Sequence, residues 1–268
     1  MAFNSRSAAT GRHRREGGDS SINVPRQSQI QIQTMNSFDT TLLTIATQGA
    51  MRSETLSHAV RVVADFYLFK GVLPLAMLCA IWFDTSERRR WQREMVVATI
   101  LSGVLALFVG RILASWLPFR ERPLYDPTLH LTFPIAPTPE AVLRTWSSFP
   151  SDHAMIWAAV AMGIFLVSRW MGVLALLQCI VLICFPRVYL GLHYPSDVLA
   201  GLILGVCVTC VVTRRPVMEL FAPAIVRLID RYPRVSYAGL FVVLFELATM
   251  FDEPRILAQS IVRHVIHG

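Results

Sequence analysis

Apolar residues gather into long runs separated by short arginine-rich or proline-rich stretches, and this alternation organises the chain. Six runs approach the length of a membrane helix: Phe66–Phe83, Met95–Phe119, Ala154–Val167, Met171–Phe185, Val198–Thr213 and Tyr237–Phe251. A span needs about 20 predominantly apolar residues, and the third run falls short of that. The pattern predicts an all-α fold, an integral-membrane bundle of about six transmembrane helices spread over residues 65–251. Residues 1–34, rich in Ser, Gln, Arg and Gly, predict a disordered tail without the apolar core of a signal peptide. Residues 35–64 mix apolar and polar positions at helical spacing. There Phe38, Leu42, Leu43, Ile45 and Ala46 form one face of an amphipathic or interfacial helix. Residues 252–268 form a C-terminal tail.

Composition sharpens this picture. The chain is 54% hydrophobic and 16% charged, against about 25% charged for a soluble domain, and its mean hydropathy is +0.49. The net charge of +7 comes from arginine, since Lys70 is the only lysine. Arg88, Arg89, Arg90 and Arg93 precede the second run; Arg214, Arg215, Arg227, Arg231 and Arg234 follow the fifth. The positive-inside rule makes both groups cytoplasmic, so the second and fourth runs exit outward. The basic N-terminal tail pulls the other way, and an extra span or re-entrant helix within Asn36–Asp65 would reconcile the two. A nucleic-acid partner is not expected, because the tail has no interleaved aromatics. Cys79, Cys179, Cys184, Cys207 and Cys210 all lie in apolar runs, without metal-site spacing, and read as packing thiols.

The candidate chemistry lies at the ends of these runs. "PSD" occurs twice, at Pro150–Asp152 and Pro195–Asp197, each time just before an apolar run. Ser and Asp are good helix N-caps, which accounts for the repeat but not for the histidines beside it. A helix N-terminus also favours a phosphate, and Ser151 adds a hydroxyl. His193 and Asp197, four residues apart, are close enough to meet. A carboxylate on one ring nitrogen fixes the tautomer and leaves the other nitrogen to attack phosphorus. His153 then protonates the leaving oxygen. A dianion held without metal needs arginines, which stay charged and bind in a fork. Arg187 precedes the histidine turn, and Arg120 and Arg122 stand in "LPFRERP". Arg111 lies within the second run, where it either snorkels outward or serves the site. There is no HExxH, carboxylate cluster or Cys/His grid, so neither a metal nor another cofactor is implied.

These residues resemble the type-2 phosphatidic acid phosphatase superfamily, integral-membrane lipid phosphatases related to vanadium haloperoxidases. The family pattern has three blocks, K-x6-RP, PSGH and SR-x5-H-x3-D. The third matches Arg187, His193 and Asp197, with Pro186 for the serine; the second matches Pro150, Ser151, Asp152 and His153, with Asp152 for the glycine. Arg122 and Pro123 match the end of the first block, where Ser115 stands at the lysine position and Arg111 and Arg120 are the nearby cations.

The resemblance covers roughly Met95–Thr213. It implies His193 as nucleophile, Asp197 orienting it, and His153 as general acid. Arg122, Arg187 and Ser151 would hold the phosphate, with Arg111 and Arg120 helping. Asp152 should face away from the phosphate or weaken dianion binding. It further implies a lipid phosphate or diphosphate substrate and a site facing the periplasm from a bacterial inner membrane. Undecaprenyl diphosphate is favoured; phosphatidic acid and phosphatidylglycerophosphate stay open. Specificity would lie in the Arg120–Pro150 cover, with Asp126, Glu140 and Arg144 as contacts. A phosphotransferase using the same phosphohistidine and a non-catalytic lipid-phosphate carrier are the alternatives. The oligomeric state is not encoded in any of these motifs.

Overall fold

The computed structural model describes residues 36–134 and 144–251. Among the described residues the secondary structure is helical throughout, with no strand. The tails expected at residues 1–34 and 252–268, and Glu140, lie outside the described residues.

Two short helices open the chain. In α1 (Ser37–Arg52) the Asn36 side chain caps the Phe38 N–H, and in α2 (Glu54–Asp65) Ser53 caps Leu56. Extended backbone at Phe66 ends α2. The chain then bends by 65° into α3 (Leu68–Trp82), whose first turn is π-helical and buries Lys70 and Gly71. The remaining long elements are α4 (Arg89–Trp116), α5 (Asp152–Val167), α6 (Arg169–Tyr189), α7 (Pro195–Val212), α8 (Ala222–Arg231) and α9 (Pro233–Ala248). The apolar helices α3, α4, α5, α6, α7 and α9 coincide with the six runs. Of these, α4, α6 and α7 are long and apolar enough to cross a membrane, and α2 with α3 would be a fourth if the bent pair is one span. The chain is an integral membrane protein.

Helix α5 is the hub, packed against α4, α6 and α7. It is apolar on all sides and buried almost throughout, from Ala154 to Ala161, as expected of a helix with no solvent face. Its 16 residues reach about 24 Å at ~1.5 Å per residue, which is why its run looked short. The outer surface carries Phe108, Leu174, Ile203 and Phe241, all exposed. Trp116 and Trp170, each 83% exposed, stand at opposite ends of the bundle, where interfacial tryptophans belong. Cys179 and Cys184 are buried as expected, but Cys79, Cys207 and Cys210 face outward from the helices. Their helices are apolar all round, so periodicity could not tell core from lipid face.

In α1 the expected apolar face is split. The buried face of α1 is Asp39, Leu43 and Thr47, whereas Phe38, Leu42 and Ile45 are exposed. Leu43 packs with Phe133 and Tyr194; Val60 and Ala64 of α2 pack with Tyr189 and Leu190. Ser57 and Tyr189 share a hydroxyl–hydroxyl hydrogen bond of 2.9 Å. Both helices therefore lie at the end of the bundle that holds His193, and the arginine-rich turns lie at the other.

Candidate active site

The site is created by the close docking of α7 on α5. A Cβ added at Gly201 would stand 2.6 Å from the Ser151 carbonyl oxygen, and one at Gly205 would stand 2.2 Å from that of Met155. Glycine at these two positions lets the backbones touch, and the Thr209 hydroxyl donates to the Ala159 carbonyl at 2.9 Å one turn further on. The two "PSD" helix starts are thereby brought side by side, with the Ser151 N–H donating to the Asp197 carbonyl at 3.2 Å.

His193 sits in the turn between α6 and α7. The Arg187 carbonyl accepts from the N–H groups of Leu192 (2.9 Å) and His193 (3.2 Å), and Gly191 at φ +68° allows the reversal. Nδ1 of His193 lies 2.8 Å from the Ser148 carbonyl. A carbonyl only accepts, so Nδ1 carries the hydrogen and Nε2 keeps its lone pair. That lone pair faces Arg122 Nη1 at 3.3 Å. Burial, helped by the Arg122 charge, lowers the His193 pKa from its ordinary value of 6.5, so the resting imidazole is neutral.

Asp197 does not hold the ring directly. Its Oδ2 is 3.9 Å from His193 Nδ1, beyond hydrogen-bond range. Its oxygens are already engaged by the Tyr194 N–H at 2.8 Å in a capping box, by the Ser148 hydroxyl and by Arg120. Asp197 thus acts on the histidine through Ser148, which carries the orienting carbonyl. The i,i+4 spacing was right for proximity, but the helix cap has the prior claim on the carboxylate.

His153 is partnered by its neighbour. Asp152 Oδ1 lies 3.0 Å from His153 Nδ1, and Oδ2 lies 2.9 Å from Arg111 Nη2. The added carboxylate is turned onto these two groups. Its Oδ1 holds Nδ1 of His153 and so sets the orientation of the ring. Arg111 also stacks on Trp146, with its guanidinium carbon 4.1 Å from the ring centroid.

Two other groups stand without protein partners: Ser151 Oγ and Arg187 Nε are buried and make no hydrogen bond. Buried donors are ordinarily satisfied; the Arg187 backbone is bonded to that of His193, and the Ser151 backbone to that of Asp197. With Arg122, which also donates to the Leu192 carbonyl at 2.8 Å, they form a set of donors suited to an anion.

Arg120 departs from expectation. Its guanidinium bridges Asp197 and Asp39, the latter at 2.8 Å, donates to Ser196 Oγ at 2.9 Å and stacks on Tyr194 at 3.9 Å. It braces the site instead of offering its fork to a phosphate. Asp39 was not foreseen. Its carboxylate, fully buried, also accepts from the Ser196 N–H (2.8 Å) and hydroxyl (2.7 Å). In the sequence it reads as an acidic residue in a helix first turn, and Ser148 as one serine among several. Breaking a buried pair costs about 3–5 kcal/mol. Asp39→Ala is therefore expected to lower stability by at least ~3 kcal/mol in a denaturation series; an unchanged midpoint would remove Asp39 from the frame of the site.

Asp126, foreseen as a substrate contact, accepts from the Tyr194 hydroxyl at 2.8 Å, and Arg144 lies over the Tyr125 ring at 4.4 Å. Among the described residues no group of three His, Cys, Asp or Glu side chains is placed to hold a metal ion.

The stretch of chain that carries these residues is similar to known proteins. Residues 93–220 match the PAP2 superfamily. Decaprenylphosphoryl-5-phosphoribose phosphatase of Mycobacterium tuberculosis is 34% identical over 142 residues, which cover 53% of this chain and 70% of that protein. The chain belongs to the PAP2 superfamily. An undecaprenyl-diphosphatase of Sulfolobus acidocaldarius is 32% identical over 114 residues, 42% of this chain; the match spans 51% of that relative's length. Undecaprenyl-diphosphatase BcrC of Bacillus subtilis is 27% identical over 132 residues, covering 49% of this chain and 62% of that protein. The matched stretch of this PAP2 chain contains Arg111, Arg122, His153, Arg187, His193 and Asp197, while Asp39 lies before it.

Proposed function

We propose that this PAP2 chain is a lipid phosphatase that cleaves a lipid phosphate or diphosphate through a phosphohistidine on His193. The observation that carries the reading is the pair of buried, unpartnered donors, Ser151 Oγ and Arg187 Nε, beside a histidine whose Nε2 lone pair is free of a proton.

The steps follow from the groups present. The substrate phosphate takes Ser151, Arg187 and Arg122 as donors, and Arg122 moves from Nε2 of His193 to a phosphate oxygen. Nε2 attacks phosphorus as the bond to the leaving oxygen breaks, and His153 gives that oxygen its proton. The carbonyl of Ser148, a residue whose hydroxyl donates to Asp197, stabilises the N–H of the charged phosphohistidine. His153, now neutral, takes a proton from water, the hydroxide oxygen bonds phosphorus, and the N–P bond returns its electron pair to Nε2. No step needs a metal.

A polyprenyl diphosphate is the favoured substrate, because the names of these relatives share a polyprenyl phosphate. The proposed setting is a bacterial inner membrane, with six helices crossing and the site on the periplasmic face. In that setting α1 and α2 lie in the outer interface with Phe38, Leu42 and Ile45 in lipid. The test is phosphate release by the purified chain from undecaprenyl diphosphate and phosphatidic acid in EDTA. Release from the first in preference to the second is expected, and loss of all release in EDTA would overturn the metal-free reading. Transfer of label to a second lipid in place of water would favour the phosphotransferase.

The pH dependence has a definite sign. His193 must be neutral to attack, and its pKa is lowered by burial and by Arg122. The rate is therefore expected to hold as pH falls past 6.5 and to drop only below it. An acid limb in kcat/KM centred above 6.5 would contradict the neutral, buried nucleophile.

A further inference from the structure

The end of the bundle away from His193 carries a second basic site. A cleft of about 360 Å³ opens between the first turn of α4 and helix α8, lined by Arg89, Arg90, Arg93, Val226, Arg227 and Asp230. Within it the buried Arg93 pairs with the exposed Asp230. Arg93 is buried, donates to Asp230 at 2.9 Å and to the Trp82 carbonyl at 3.3 Å, and stacks on the Trp82 ring. This pair ties α8 to α4, while Ala222, Val226 and Ile229 bury the inner face of α8. Arg89, Arg90 and Arg227 are exposed at the rim, where Arg90 also reaches Glu94 at 3.4 Å. Four guanidiniums thus meet one carboxylate in the lining, an excess of positive charge held in one concave place.

The surroundings say what should enter. Ile225 and Leu228 are exposed along the flank of α8, and Trp91 is exposed in the first turn of α4. Apolar and aromatic flanks beside arginines mark a helix lying at a membrane interface. Arg90 and Arg111 are 21 residues apart on α4, about 32 Å at ~1.5 Å per residue, which matches the ~30 Å hydrocarbon layer. The cleft therefore lies at the headgroup level of the leaflet opposite the catalytic site. Arginine forks bind phosphate oxygens bidentately, and basic pockets between membrane helices suit anionic headgroups.

We propose that this cleft binds the phosphate of an anionic phospholipid headgroup in the leaflet opposite the catalytic site. The full chain is reconstituted in nanodiscs of phosphatidylcholine alone or with phosphatidylglycerol, and its thermal midpoint is measured. Phosphatidylglycerol is expected to raise the midpoint by about 5 °C, the shift of a site well saturated by its ligand. The triple variant R89Q/R90Q/R227Q should lose that shift, and R214Q/R215Q/R234Q, which removes equal charge outside the cleft, should keep it. Both should release phosphate normally in phosphatidylcholine. Equal loss in the two triples would reduce the effect to diffuse surface charge and overturn the site. So would a wild-type midpoint indifferent to phosphatidylglycerol. Glycerol phosphate reproducing the full shift in phosphatidylcholine discs would make the ligand a soluble anion and overturn the lipid assignment. If the cleft triple does not fold, the single variants R89Q and R227Q carry the same comparison.

Discussion

Phosphate release is expected to fall by ~10⁴-fold or more in His193→Ala, the scale seen when a covalent catalyst's nucleophile is removed. His193 Nε2 is the imidazole nitrogen that faces Arg122 at 3.3 Å. The substitution also removes the Nδ1–H that satisfies the Ser148 carbonyl. His193→Asn serves as the companion, because its amide can keep that hydrogen bond while supplying no nucleophile. Lipid-phosphate binding should survive in both, since the donors remain. Turnover in either variant above the uncatalysed rate would end the phosphohistidine reading. Binding and transport unaffected by both, with no release in the wild type, would establish the carrier.

Gly205→Ala is the second large effect, and it acts far from the chemistry. The new Cβ would meet the Met155 carbonyl oxygen at 2.2 Å, its carbon at 3.0 Å and the Ala159 nitrogen at 3.1 Å. All three are backbone atoms in the hub helix, so no side chain can swing aside and α7 must move off α5. Overpacking of this kind costs about 1–3 kcal/mol, and misplacing reacting groups by ~1 Å costs on the order of 10²-fold in rate. Thermal midpoint and phosphate release should fall together, because the same helix pair positions Ser151, His153, His193 and Asp197. Gly239→Ala on α9 is the control, since nothing lies within 4 Å of its added Cβ. A Gly205→Ala protein with wild-type stability and rate would show that close docking of α5 and α7 is not what assembles the site.

The site was readable where local spacing carried it. The turn from Arg187 to Asp197 and the helix start at Ser151 are short-range features and could be anticipated, although the Ser151 side chain makes no capping bond. Arg120 was misjudged because a cation in the right segment was taken for a phosphate ligand. Only the arrival of Asp39 from α1, with Asp197 beside it, uses up its donors. Asp197 itself was placed correctly near His193, but the capping box on Tyr194 and the hydroxyl of Ser148 claim its oxygens. Ser148 carried no signal of its own, because it works through a backbone carbonyl that any residue possesses. On α1 the apolar positions Phe38, Leu42, Leu43, Ile45 and Ala46 were grouped on one face of an interfacial helix, but Leu43 turns inward while Phe38, Leu42 and Ile45 are exposed. In a bilayer the apolar side can be the outer one, and here it is Asp39, Leu43 and Thr47 that turn inward.

The amino-acid sequence by itself determined the apolar helices, the sorting of arginine to one end, and the three short motifs with their histidines. Those are consequences of hydropathy, periodicity and local capping, which act over a few residues. Only the tertiary structure decided which helix faces are core, which carboxylate answers which arginine, and which donors stay unpartnered for a phosphate. Pairing of buried charges depends on groups far apart in the chain, Arg120 with Asp197 77 residues on and with Asp39 81 residues back. No pattern along the chain encodes that competition for partners.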